Sequence, residues 1–174
     1  MRAGTHYCEF TVLKDSGWGS GIIIGVCRAD WVATADLRAT HTDAGWGLSA
    51  ATGILRHGGE SREWPGQEYI RTGETLGLLV EFGERRLTAF KDGRRLGILP
   101  TADVGAAPLP VTADGAGWIG VDADGLFDAA APLCWMIQLY YPKDSVIKPL
   151  TLAGHSKSPS IRLVGANVSF LRGG

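Results

Sequence analysis

Asp92-Gly93, set between two apolar runs, limits what this chain can fold into more than any other feature of its sequence. A type I′ turn between paired strands needs φ > 0 at both central residues, and Asp-Gly is one of the few dipeptides that accepts it. In Gly73–Leu99 (GETLGLLVEFGERRLTAFKDGRRLGIL), Leu76, Leu78, Val80 and Phe82 share one face of an extended chain. Gly77, Leu79 and Glu81 take the other face, which is the period of two that a strand imposes. Gly83-Glu84-Arg85 breaks the run, Leu87–Lys91 resumes it, and Arg95–Leu99 leads out of the turn. The stretch predicts a three-stranded antiparallel meander.

Read in order, this segment gives glycine, an acid, Leu-Gly-Leu, an acid closing the strand, Leu-Thr-x-Phe-Lys-Asp-Gly and a further Leu-Gly. That order resembles the signature of SPRY domains. Upstream, His6–Val12 (HYCEFTV) looks like the family's opening strand, Gly21–Cys27 (GIIIGVC) like its second, and Gly45–Ser49 (GWGLS) like its Trp-Gly segment. Pro132–Leu139 (PLCWMIQL) is similar to the late strand that usually reads Pro-Leu-x-Pro-Ala-Val. The chain departs from the pattern at Glu74 and Glu81, where aspartate is usual, at Ala89, usually aromatic, and at Trp135, usually proline. The resemblance runs from Tyr7 to Ile147 and implies an all-β fold, a bent sandwich of two antiparallel sheets. It also implies a protein-interaction module that grips a peptide or partner surface with its loops and catalyses nothing. Too few residues precede the opening strand for the PRY segment of the larger B30.2 relatives, so the match is to the SPRY-only form.

Size and composition agree. At 174 residues the chain is expected to be one domain, 1–174, with 100–131 as an insertion and 151–174 as a C-terminal extension. A net charge of −1 with 20% charged residues gives no basic patch for nucleic acid or an anionic membrane. Twenty-five glycines among short apolar runs favour a turn-rich β protein over helices. Cys8, Cys27 and Cys134 are an odd number, all inside expected strands, and read as buried free thiols of a reducing compartment. The opening MRAGTHYCEF has no cleavable apolar segment, and no apolar run reaches membrane length. These point to a soluble intracellular protein, in the cytoplasm or nucleus.

Along the chain, Tyr7–Leu13 alternates as a strand, and Gly21–Arg28 is apolar on both faces, as between packed layers. Gly45–Ser49 and Gly53–Arg56 read as short strands, and Lys14–Ser20, Ala29–Ala44 and His57–Gly73 as loops. A turn of helix fits Asp30–Leu37. Pro100–Ala131 is longer than the 12–15 residues, roughly, beyond which loops tend to be functional or disordered. It is drawn as a hairpin carrying Trp118. Leu133–Tyr141 is a strand, turned at Pro142-Lys143-Asp144, with Val146–Leu150 pairing back. Ile161–Val164 and Asn167–Leu171 are two last short strands, expected to cover a sheet edge near the N-terminus.

Chemistry is hard to find. Four histidines and three cysteines lie in no nucleophile, base or zinc-ligand spacing. Gly115-Ala-Gly117-Trp-Ile-Gly120 matches a dinucleotide fingerprint, but a turn follows where the phosphate-holding helix must start. Asp122-Ala-Asp124-Gly125 opens like a calcium loop, yet its closing glutamate position is Leu133. The terminal Leu171-Arg-Gly-Gly174 matches the ubiquitin tail and nothing else here does, so it reads as a flexible end. No catalytic residue, metal or cofactor is expected.

Aromatics in loops are the stronger lead. Trp46 and Trp135 fall in strands and read as core, whereas Trp18, Trp31, Trp64 and Trp118 fall in expected loops. Together with Arg38, His41, Arg62 and Tyr69 they form the candidate partner-binding set, because contact hot spots favour Trp, Tyr and Arg. The competing role for each tryptophan is to pin its own loop onto the sandwich. Two other functions stay open: a structural subunit of a large multiprotein assembly, and a small-ligand or sugar-binding sandwich with a deep polar-lined pocket.

Overall fold

The structure, a computed structural model, describes residues 1–13, 21–32, 38–99, 126–127, 132–139, 147–150 and 161–164. Among them the strands are β1 (Thr5–Val12), β2 (Ile22–Arg28), β3 (Gly45–Ser49), β4 (Leu55–His57), β5 (Glu60–Arg62) and β6 (Thr75–Glu81). Then follow β7 (Arg86–Lys91), β8 (Arg94–Ile98), β9 (Leu133–Leu139), β10 (Ile147–Leu150) and β11 (Ile161–Val164). Among the described residues one 3-10 turn forms, over Ala39–His41. Two sheets result, ordered β10-β1-β6-β7-β8 and β11-β9-β2-β3-β4-β5. All pairings are antiparallel except that of β11 with β9, which is parallel. The expected all-β sandwich is the fold that forms.

The meander β6–β7–β8 forms as the turn dictates. Asp92 and Gly93 adopt φ of 48° and 78°, and Lys91 pairs with Arg94 across them. Asp92 does more than turn the chain. Its carboxylate accepts the Thr75 N–H at 2.8 Å while its own N–H donates to the Thr75 carbonyl at 2.9 Å, tying the turn to the start of β6. Leu76, Leu78 and Val80 are wholly buried and share one core with Ile22, Ile24 and Val26 of the other sheet. Phe10 of β1 meets Trp135 of β9 edge to face, centroids 6.1 Å apart, joining the two layers at the middle.

Strand β2 is apolar on both faces because both faces are covered. Its outward residues Ile23 and Cys27 join Cys134 and Met136 in a second cluster, closed by Trp31, Ala39 and Ala44. The three cysteines are buried, none of them in a disulfide. Cys27 and Cys134 face each other across β2 and β9 with their sulfurs 3.4 Å apart. Burial, and then the Glu9 charge, push the Cys8 thiol up to about 11. Burial, with the hydrogen bond to Glu9, also raises Tyr7 above its ordinary value. Both groups hold their protons longer folded than unfolded, so above about pH 9 the native state binds more protons than the unfolded one. Stability is therefore expected to be complete below pH 9 and to fall as pH rises toward 11, which urea unfolding across that range measures.

Three expectations change. The segment expected as the loop His57–Gly73 begins with a hairpin instead, because Gly58 and Gly59, with φ of 59° and 80°, turn β4 into β5. The residues of β5, Glu60-Ser61-Arg62, carry no apolar alternation that could mark a strand. The strand expected over Gly53–Arg56 starts at Leu55, since Gly53 has φ of +67° and belongs to the turn before it. Ile147–Leu150 does not pair back on β9; it crosses to β1 in the other sheet, Phe10 opposite Pro149. Proline is tolerated there because β10 is an edge strand among the described residues.

Of the insertion, Leu126 and Phe127 are described and both are buried, Phe127 edge-on to Phe82 at 5.7 Å. The expected hairpin around Trp118, residues 33–37 of the helical turn expected over Asp30–Leu37, the turn at Pro142–Asp144 and the strand at Asn167–Leu171 lie outside the described residues. Strand β11 covers one edge of β9, where Met1 and Leu133 also exchange backbone hydrogen bonds, so this edge does adjoin the N-terminus. No helix among the described residues is long and apolar enough to cross a membrane.

Candidate functional site

The hairpin β4–β5 sorts the sequence candidates into two groups at its two ends. At its turn, the Gly58 and Gly59 N–H groups donate to the carbonyls of Thr42 and Thr40, at 3.1 and 3.0 Å. This fastens the turn to the 3-10 segment and sets His41, exposed, and Arg38, half-buried, beside it. Beneath them the His57 ring stacks on Trp46, 4.4 Å and 12° apart, and its Nδ1 donates to the Gly45 carbonyl at 3.0 Å. Arg62, half-buried on β5, turns back to Glu60 at 3.1 Å. Trp31 is 8% exposed within the second apolar cluster. Trp18 and Trp118 lie outside the described residues.

The other end of the hairpin carries the more shaped feature, a cleft of about 600 Å³ lined by Thr52, Glu63, Trp64, Pro65, Glu68 and Tyr69. Trp64 is its floor. Only 6% exposed, it donates its indole N–H to the Gly53 carbonyl at 2.7 Å and packs into the central core. The ring fits because Gly66 and Gly97 have no side chains: a Cβ on Gly66 would lie 2.3 Å from it. For Trp64, then, the loop-pinning role is realised, and a partner finds little more than an edge of it. Tyr69 is the opposite case, 60% exposed on the rim.

The loop bearing these residues is held at many points. Gln67 donates from Nε2 to the Thr52 carbonyl at 3.0 Å, and the Ile70 N–H to the Ala50 carbonyl at 2.8 Å. Lys91 Nζ donates to the Tyr69 carbonyl at 2.8 Å and pairs with Glu74 at 2.8 Å. Burial alone would raise Glu74, but the Arg71 N–H and the Lys91 ammonium outweigh it and hold the carboxyl below its ordinary value. Arg94 places Nη2 at 2.8 and 2.7 Å from the two Glu68 oxygens, and that hydrogen bond, with the carboxylate's charge, raises the guanidinium above its ordinary value. The pair is solvent-exposed, so it fixes position more than it adds stability.

Sequence reasoning found Trp64 and Tyr69 but missed Thr52, Glu63 and Glu68, which the fold gathers from either side of β4 and β5. The visible signal was two acids flanking Trp64-Pro65-Gly66. Chemically the cleft offers carboxylates, a hydroxyl and an aromatic rim, which is equipment for recognition. Among the described residues no group of three or more His, Cys, Asp or Glu is placed to hold a metal ion.

This two-sheet arrangement defines a SPRY-like β-sandwich. In particular, it is similar to the crystal structure of the SPRY domain of human HERC1, with a TM-score of 0.59 over 89% of this chain and 79% of that one. Identity is 16%, so the likeness is one of fold. No family model matches the sequence. No curated protein matches it either.

Proposed function

We propose that this chain is a non-catalytic protein-interaction module that binds a peptide or partner surface through its loops. The observation that carries this reading is the cleft beside β5: a concave surface, braced by backbone and side-chain hydrogen bonds, with Tyr69 projecting at its rim. A braced loop binds without first being ordered, and a rigid exposed tyrosine is a favoured contact residue. The SPRY-like fold supports the same reading, because that class is generally one of interaction modules. Arg38, His41 and Arg62 form the second part of the proposed binding face, and Trp18 and Trp118 are assigned to it from sequence. The reading places the protein inside the cell with a protein or peptide partner, without nucleic acid, membrane or cofactor.

Tyr69→Ala tests it. Truncating an exposed side chain is expected to leave the melting temperature within about 2 °C while cutting partner recovery in a quantitative pull-down at least fivefold, as for a contact worth more than about 1 kcal/mol. Equal recovery by both forms would remove the cleft from the binding face. A partner lost on Arg38→Ala instead would place binding at the other end of the hairpin.

A further inference from the structure

We infer that the cleft beside β5 recognises a basic side chain, the guanidinium of arginine or the ammonium of lysine, presented by a partner peptide. The inference rests on the interaction-module reading and adds the chemistry of what is bound. Three observations carry it. First, the cleft lining holds two carboxylates, Glu63 and Glu68, and no cation. Second, three cations of the adjoining strands have other partners: Arg94 pairs with Glu68, Lys91 with Glu74 and the Tyr69 carbonyl, and Arg62 with Glu60. Among the described residues nothing pairs with the Glu63 carboxylate, so its charge faces the cleft uncompensated. Third, the rim residue Tyr69 is 60% exposed, and an aromatic face beside a free carboxylate suits a cation carried on an apolar stem.

The parts divide the work. Glu63 supplies the opposite charge and, for arginine, a two-oxygen acceptor that matches the planar fork. Tyr69 and Pro65 supply apolar surface for the methylene stem. Glu68 contributes less, since both its oxygens are already on Arg94. An acidic peptide residue entering here would meet Glu63 directly and be repelled, so the site discriminates by sign.

The test pans a phage library of random twelve-residue peptides against the full chain and against Glu63→Gln, an exposed, near-isosteric change. Melting curves confirm that the variant is folded. Enriched peptides are expected to share an Arg or Lys, to bind about three- to tenfold more weakly to Glu63→Gln, and to weaken as salt screens the pair. Replacing that basic residue by glutamine in the peptide should cost the wild type as much and the variant almost nothing. Peptides that bind well but show no basic preference, and no loss on Glu63→Gln, overturn the assignment of a cation while leaving the interaction reading intact. If no peptide is enriched over bare support, both fall together.

Discussion

Trp135→Ala is expected to lower the stability of the fold by about 3–5 kcal/mol, the range for removing a large aromatic side chain from a core. The indole is wholly buried, lies on β9 between β11 and β2, and meets Phe10 of the opposite sheet edge to face. Its removal leaves a cavity at the contact between the layers, which strands on both sides are hydrogen-bonded too firmly to close. Trp135→Phe is expected to cost much less. It keeps an aromatic ring against Phe10 and gives up an indole N–H that is buried without a partner among the described residues. Denaturant midpoints of the two variants measure both effects. Equal losses would mean that an aromatic ring kept against Phe10 contributes nothing.

Gly53→Ala is the second large effect, expected at about 2–5 kcal/mol. Two penalties add there. Gly53 sits at φ +67°, which costs an L side chain about 1–2 kcal/mol. A Cβ would also lie 2.4 Å from the Glu68 carbonyl oxygen and 2.6 Å from its nitrogen, so the loop must shift, at about 1–3 kcal/mol for overpacking. Because the Gly53 carbonyl accepts the Trp64 indole, the shift reaches the floor of the cleft. Gly73→Ala is the control: its φ is +90° but nothing lies within 4 Å, so it bears only the backbone penalty. If both variants melt alike, the close approach of Gly53 to Glu68 is not what shapes the loop. If Gly53→Ala also moves the amide resonances of Glu68 and Tyr69, the cleft depends on that approach.

The parts of the fold that sequence reasoning reaches are those whose signal is local. Leu76, Leu78 and Val80 alternate, Asp92-Gly93 turns, and Ile22 to Val26 is apolar without interruption, so the central strands of both sheets can be read directly. Strand β5 cannot, because Glu60, Ser61 and Arg62 pair through their backbone and bury almost nothing. The destination of β10 is equally hidden: Ile147-Lys-Pro-Leu says edge strand but not which edge. The cleft depends on coincidences of distance, with Trp64 finding the Gly53 carbonyl and a space that Gly66 and Gly97 leave empty. Its tryptophan was legible as important. That it is the floor, and Tyr69 the rim, was not.

The order in which the sheets close has a consequence for synthesis. Strand β1 is flanked by β6 on one side and β10 on the other, with Glu9 opposite both Gly77 and Leu150. On a ribosome adding about 5–20 residues per second, the interval between translation of Val12 and of its partner Ile147 is roughly seven to thirty seconds. Through that interval one side of β1 offers unpaired backbone groups to any other nascent chain, and β9 waits likewise for β11. The last strands described therefore cover the earlier ones, and a chain stopped before them presents β1 and β9 as sheet edges in place of the shorter β10 and β11.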